Sequence, residues 1–230
     1  MTTVSDAPVP DDLAPRRPIA PRIHSELAPT AIPEGDALRD ADWSGVHISG
    51  WSQPGVEGSS VEFTASRIET VDLSGGRFSR LALVDCDVTG SNLANLTARD
   101  SAMVRVIVRH SRLTGLSWPG GKLVDVRFED CRADLASFRF ARLSRVTFHR
   151  CVLVESDFEG VRGDSVAFVD CDLGRAQFSA AEFHRSEIRR CGLQGMSGVS
   201  GLRGMGLMPA DIVGLAGELA SELGIRTLHD

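Results

Sequence analysis

The sequence lacks any apolar run close to the roughly 20 residues that a membrane-spanning helix needs, which excludes membrane spans. It also lacks an export signal, because its first residues include acidic side chains and have no basic start followed by an apolar run. Cysteines are few, and their number of five is odd. A reducing cytoplasm is therefore the expected location, with no attachment to a membrane.

An excess of positive charge is also missing. The chain of 230 residues carries 25 Lys and Arg against 31 Asp and Glu, for a formal net charge of −6. This balance argues against general nucleic-acid binding, so no direct contact with nucleic acid is expected. The negative charge lies outside residues 61–195: that segment holds 18 acidic and 19 basic residues and is +1, which leaves −7 for the flanks.

Regular apolar periodicity is absent from the first 42 residues, which hold seven of the ten prolines. A mostly disordered tail over residues 1–42 is therefore predicted, with an extended conformation where Pro15 to Pro21 cluster. Two roles remain open for this tail: a plain linker, or a tether with a short recognition segment.

From residue 61 onward, a large apolar side chain recurs at every fifth position. Of the 27 such positions from Phe63 to Leu193, 24 are large and apolar, and the exceptions are Ala98, Ala133 and Gly163. The position two before each of them is small, apart from three leucines. A period of five fits neither a helix nor an alternating strand. Residues two apart on extended backbone share a face, so the small and the large residue of each unit both point inward. If each five-residue unit forms one short strand and one corner, four units close a coil of 20 residues.

Individual units match a known repeat. Residues 86–90, 91–95 and 171–175 read Cys-Asp-Val-Thr-Gly, Ser-Asn-Leu-Ala-Asn and Cys-Asp-Leu-Gly-Arg. This order of a small residue, Asp or Asn, a large apolar residue and two more residues resembles the pentapeptide-repeat family. The resemblance implies an all-β fold, a right-handed quadrilateral β-helix in which each coil packs only on its neighbours. The clear register covers residues 61–195, and the predicted β-helix spans residues 43–200.

Residues 201–230 are predicted to form a short C-terminal helix. Pro209 suits a first helical turn, and one helical stripe carries Ile212, Ala216, Leu219 and Leu223. Because the end of a rod exposes unpaired backbone and apolar core, this stripe is a candidate cap. The same stripe is a candidate contact with a second chain, since the family resemblance implies dimers formed through C-terminal elements. Cap and homodimer contact both remain open.

No catalytic residues and no metal or cofactor site are predicted, so the protein is not expected to be an enzyme. All five cysteines lie in the small inward position, and Cys131, Cys151, Cys171 and Cys191 recur one coil apart. A linear stack inside an apolar core does not converge tetrahedrally on a metal ion, so these thiols are expected to be structural. Paired acidic residues face outward on a convex rod, without a cleft that excludes water.

One outward position of the predicted rod is apolar. Val84, Val104 and Val124 occupy it in three successive coils and form a stripe. Farther along the same side lies a basic stretch of four arginines: Arg142, Arg145, Arg162 and Arg185. This arrangement favours a docking face with arginines at its rim, the alternative being β-branched residues tolerated on a strand surface. The predicted function is a non-catalytic scaffold that binds an unidentified protein through one face of the rod.

The family resemblance supplies an alternative function. Its best-known members are quinolone-resistance proteins that bind DNA gyrase by presenting a rod with the shape and negative potential of duplex DNA. Duplex DNA carries one negative charge per roughly 1.7 Å of axis, whereas the repeat segment of this chain is +1. Modulation of gyrase is therefore the alternative to the scaffold function.

Overall fold

The chain forms a parallel β-sheet that is wound into a solenoid. We describe a computed structural model, which covers residues 14–31 and 38–226. The solenoid has about nine turns, and its strands pair in register with residues 20 positions further along the chain, as Val84 pairs with Val104. The all-β repeat fold expected from the sequence is confirmed.

The longest strands lie on two neighbouring sides of the coil, and the other two sides are held mainly by single bridges. A 3₁₀ turn at Val199–Leu202 and two short helices, α1 Pro209–Gly214 and α2 Ala216–Glu222, end the fold. In the described part of the chain, none of the helices has the length and apolar character needed to span a membrane. The strands are β1 Ala28–Pro29, β2 Arg39–Ser44, β3 Val46–Ser49, β4 Glu57–Thr64, β5 Arg67–Glu69, β6 Arg77–Thr89, β7 Thr97–Arg99, β8 Ala102–Arg109, β9 Lys122–Glu129, β10 Arg142–His149, β11 Arg162–Val169, β12 Glu182–His184, β13 Glu187–Arg189 and β14 Gly206–Leu207.

One residue in five turns the chain at a corner. Every fifth residue from Asp40 through Gly195 has a positive φ, between 46° and 74°. Most of these residues are not glycine, so the stacking of the coils holds them in a left-handed conformation that costs an L residue about 1–2 kcal/mol. The series of corners continues past Gln53 and Gly58, where the sequence pattern is interrupted. The coil therefore persists where the inward apolar pattern lapses.

The large inward residues of the C-terminal half form two columns of phenylalanine rings. Within a column, successive rings stack at centroid distances of 4.8 to 5.4 Å, with interplanar angles of 5 to 18°. Rings of different columns meet edge to face. All six rings are buried, and burial of each side chain stabilises the fold by about 1.5–3 kcal/mol before chain entropy is counted. The columns are Phe128, Phe148 and Phe168 on one side, and Phe138, Phe158 and Phe178 on another.

Two glycines at large inward positions are explained by their neighbours. A Cβ added at Gly163 would lie 2.4 Å from the ring of Phe183, which is its partner one coil further along. Gly58 stands in the same relation to Phe78, whose ring would lie 2.6 Å from the added Cβ. In both places the ring from the next coil fills the volume that the glycine leaves. The departure from the repeat is therefore part of the core packing.

Part of the predicted N-terminal tail lies on the rod. Residues 14–31 contain no helix, and strand β1 within them pairs in parallel with β3. Strand β2 begins at Arg39, inside the segment that composition assigns to the tail. Residues 1–13 and 32–37 lie outside the described residues. Residues 14–31 are held on the rod by hydrogen bonds, such as the bond from Thr30 N–H to the carbonyl of His47 at 2.9 Å. Composition alone does not predict these contacts.

Three carboxylates close the C-terminal end of the rod. Inside the rod, corner amides donate to carbonyls of the next coil, as Gly90 does to Arg109 at 3.1 Å. The last described coil has no such successor, so its corner amides need other acceptors. Side chains of α1 and α2 supply them, and Leu215 between these helices is buried in the core. The pairs are Arg190 N–H to Asp211, Gly195 N–H to Glu218, and Ser200 N–H to Glu222, at 3.1, 2.7 and 2.8 Å.

Candidate docking surface

The apolar stripe on the outside of the rod is continuous over three coils. Val84 in β6, Val104 in β8 and Val124 in β9 lie directly opposite one another in parallel register, and each is half-buried. The next two coils carry Ser144 and Asp164 at this position, so the stripe ends after Val124. We call the side that carries the three valines the valine face.

The basic stretch beside the stripe differs from the sequence prediction in two members, and one of them, Arg185, donates to Asp164 Oδ1. Arg142 and Arg162 align with Lys122 at the starts of their strands, and all three side chains are exposed. Arg145 instead donates to both oxygens of Asp125 at 2.6 and 2.7 Å, so its charge is neutralised within the rod. The basic edge of the valine face therefore consists of Lys122, Arg142 and Arg162, of which Arg162 makes a longer contact of 3.8 Å with the exposed Glu182.

Two buried carboxylates lie at the corner next to the valine stripe. Asp85 follows Val84 directly, and Asp125 follows Val124. The guanidinium of Arg105, which donates to both oxygens of Asp85 at 2.6 Å, holds the pKa of that carboxyl below its ordinary value. A hydrogen bond from Arg145 lowers the pKa of Asp125 in the same way. Both carboxylates are therefore ionised at neutral pH, and we call them the corner carboxylates.

The N-terminal segment is hydrogen-bonded to the corner carboxylates. The backbone amide of Ile19 donates to Asp125 Oδ1 at 3.0 Å, and that of Arg22 donates to Asp85 Oδ1 at 2.9 Å. These bonds join residues 106 and 63 positions apart in the sequence. The spacing of the prolines signals an extended segment, but no sequence signal says where on the rod it lies.

The C-terminal stripe is only partly in contact with the rod. All four residues of the stripe are exposed, and two of them, Ile212 and Leu219, line a shallow apolar groove together with the buried Leu215. The buried anchor is Leu215, which the helical stripe does not include. Cap and homodimer contact both remain predictions for the stripe, and light scattering after size-exclusion chromatography distinguishes them.

The cysteines lie inside the rod. Burial raises the pKa of Cys86 to about 12, so its thiol is protonated at neutral pH. Cys131, Cys151 and Cys171 are buried, and Cys191 at the end of the ladder is half-buried. Among residues 14–31 and 38–226, no group of three or more His, Cys, Asp or Glu side chains is arranged to hold a metal ion.

Comparison with known proteins finds repeat proteins. A family model described as pentapeptide repeats (8 copies) matches residues 122–160. HetL, a pentapeptide repeat protein involved in heterocyst differentiation regulation in the cyanobacterium Nostoc sp. strain PCC 7120, is 14% identical, with 69% of this chain and 85% of HetL covered and a TM-score of 0.32. Full-length QnrB1, a plasmid-mediated fluoroquinolone resistance protein, is 17% identical, with 80% of this chain and 100% of QnrB1 covered and a TM-score of 0.30. No curated protein matches the chain.

Proposed function

This chain is a pentapeptide-repeat protein, and from that premise we propose that it is a non-catalytic scaffold of the cytoplasm that binds a protein partner through its valine face. The observation that supports this most is the three-coil valine stripe beside the exposed basic edge. An apolar centre with a charged rim is the usual composition of a protein–protein contact. The charge of the edge suits a partner with acidic residues around an apolar contact.

The valine face is tested by changing its central residue. Val104→Glu places a charge in the middle of the stripe on a half-buried outward position, so binding should fall without loss of the fold. Ile107→Glu is the matched control, because Ile107 lies on the same strand, is also half-buried, and faces outward on the neighbouring side of the coil. We expect affinity capture with the wild-type protein to recover a partner, Val104→Glu to recover at least about tenfold less, and Ile107→Glu to match the wild type.

The outcome against the proposal is equal recovery with Val104→Glu and the wild type. Thermal unfolding of both variants shows whether either substitution disturbs the rod. A loss of recovery that is the same for Val104→Glu and Ile107→Glu also contradicts the assignment of the valine face.

Modulation of DNA gyrase is the alternative, and the pairing of charges counts against it. At these corners, each carboxylate pairs with an arginine one coil further along, so a positive charge lies one strand spacing, roughly 4.8 Å, from each of these negative charges. Such a surface does not present the potential of duplex DNA. We therefore expect no effect of micromolar protein on supercoiling by purified gyrase. The pairs, each with a shortest N–O distance of 2.6 Å, are Asp85–Arg105, Asp125–Arg145, Asp130–Arg150, Glu155–Arg175 and Asp170–Arg190.

A further inference from the structure

The segment that crosses the corner carboxylates has a proline at every third position. Pro15, Pro18 and Pro21 are half-buried, whereas the residues between them, such as Arg17 and Ala20, are exposed. A polyproline II helix has three residues per turn, so residues three apart share one face. The three prolines therefore form the face that the segment turns towards the rod.

The residues after the prolines supply the hydrogen-bond donors. Ile19 follows Pro18, and Arg22 follows Pro21, and the amides of both donate to the corner carboxylates. The donors are thus also three residues apart, in step with the prolines. Because proline itself has no N–H, this repeat gives the segment one contact edge of prolines and donors in alternation.

The repeat of the segment matches the repeat of the rod. Asp85 and Asp125 are 40 residues apart, which is two coils, or roughly 9.6 Å at a strand spacing of about 4.8 Å. Three residues of polyproline II rise about 9.3 Å. One turn of polyproline II therefore spans two coils of the rod, which agrees with the observed bonds from Ile19 and Arg22 to the two carboxylates.

A second pair of carboxylates shows what the segment does at this corner. Asp130 and Asp170 are also two coils apart, and each pairs with an arginine of the next coil at 2.6 Å. Their side chains are 30 and 35% exposed, whereas those of Asp85 and Asp125 are 11 and 5% exposed. The difference lies in the amides of residues 19 and 22, which donate to one pair only. The first pair therefore forms a site that is filled by polypeptide.

We propose that the corner carboxylates and the adjoining valine face are a recognition surface for an extended polypeptide of a partner protein, with proline at every third residue and an amide donor after each proline. Residues 14–31 are its intramolecular ligand and occupy it until a partner segment with the same spacing replaces them. This inference rests on the proposed scaffold function and names the class of partner. A tethered ligand has an effective concentration in the millimolar range, so weakly binding ligands do not displace residues 14–31. A partner segment with the same proline spacing binds tightly enough to displace them.

The test uses the full-length protein and a labelled peptide with the sequence of residues 14–24. A full-length variant with Ile19→Pro and Arg22→Pro keeps an extended segment but lacks both amide donors. We expect the peptide to bind this variant at least about tenfold more tightly than it binds the wild type, whose own segment competes. A peptide with the same two prolines should not bind either protein.

Rod variants locate the binding. Asp85→Ala with Asp125→Ala, introduced into the two-proline variant, should abolish binding of the peptide. The matched control is Asp130→Ala with Asp170→Ala, which breaks two equivalent ion pairs at the neighbouring corner and should leave binding unchanged. Equal affinity of the peptide for the wild type and the two-proline variant overturns the proposal, and so does binding that survives the loss of the corner carboxylates.

A measurement on the unmodified protein covers the case in which a rod variant fails to fold. The amides of Ile19 and Arg22 should be protected from hydrogen exchange, and an excess of unlabelled peptide should remove this protection. Persistent protection at saturating peptide overturns the exchange of segments. If the peptide does not bind but partner capture still falls with Val104→Glu, the proposed class of partner is wrong and the scaffold function stands. If the peptide binds but partner capture does not change with Val104→Glu, only the scaffold function through the valine face is contradicted.

Discussion

At the scale of single residues, the corners hold most of the backbone strain of the rod. Nine of the corners from residue 40 to 195 are glycine, and asparagine or aspartate, which tolerate the left-handed region, occupy others. Leu135 and Phe140 are the large apolar residues among the corners, with φ of 60° and 58°. The ring of Phe140 lies over Gly160, and an added Cβ there would be 2.3 Å from it. The side chain of Leu135 is 55% exposed, so little burial offsets its strain.

Replacement of Leu135 by asparagine should therefore stabilise the protein. Asparagine adopts the left-handed conformation at lower cost, and Leu135→Asn is expected to raise the free energy of unfolding by about 0.5–1 kcal/mol. Urea denaturation measures the change. Asn95→Leu, at the equivalent corner two coils earlier, is the reverse control and should lower stability by a similar amount. A lower denaturation midpoint for Leu135→Asn contradicts this account of the strain.

At the scale of the element, the side chains that fit inside a strand depend on the side chains that stack on them from the coils on both sides. The ring of Phe148 stacks between those of Phe128 and Phe168, at centroid distances of 4.8 and 5.0 Å, so each ring belongs to a column. A residue at an inward position is then selected by its neighbours 20 positions away, as well as by the repeat. Gly163 shows the consequence, since the ring of Phe183 fills its place.

Gly163→Ala should destabilise the protein although it brings the position closer to the repeat pattern. The new Cβ would lie 2.4 Å from the ring of Phe183 and 3.0 Å from Val166, so the Phe183 ring must shift. We expect a loss of about 1–3 kcal/mol in the free energy of unfolding, measured by urea denaturation. Combination with Phe183→Leu removes the ring and should recover part of the loss. A single variant as stable as the wild type, or a double variant with additive effects, would contradict the packing of Phe183 against Gly163.

At the scale of the whole molecule, the rod balances its charge from coil to coil. Hydrogen bonds from Arg150 and Arg190 lower the pKa of Asp130 and Asp170, as Arg105 and Arg145 do for the corner carboxylates. The net charge of −6 is therefore a property of the flanks, and the repeat segment is neutral within one unit.

Acid should destabilise the rod in a defined direction. Carboxylates whose pKa is lower in the folded than in the unfolded state stabilise the fold fully above their ordinary pKa of about 4, and this contribution is lost as pH falls through the lowered values. We expect the urea midpoint to be constant between about pH 5 and 7 and to fall below about pH 4. The variant with Asp130→Asn and Asp170→Asn should show a weaker fall. A midpoint that rises on acidification contradicts the role of these pairs.

The repeat itself was predictable, and the contacts of the flanks were not. A period of five with small and large inward residues leaves one way to close a coil, so the fold and the outward stripe of Val84, Val104 and Val124 follow from the pattern. Arg145 lies one 20-residue coil after Asp125, so the predicted register places the two together, but only the structure shows that the guanidinium donates to both carboxylate oxygens. Leu215 lies off the helical stripe and becomes the anchor because two short helices replace one.

The sequence by itself determines the coil, because every inward position repeats the same local requirement for volume. Tertiary structure decides what lies on the coil, because those contacts join residues far apart in the chain. The amide of Ile19 donates to Asp125, which is 106 positions away in the sequence. From the sequence alone, Ile19 is only part of a proline-rich tail and Asp125 only a polar residue at a corner. The match between three residues of extended chain and two coils exists only once the rod is assembled, and it turns a proline-rich tail into a ligand.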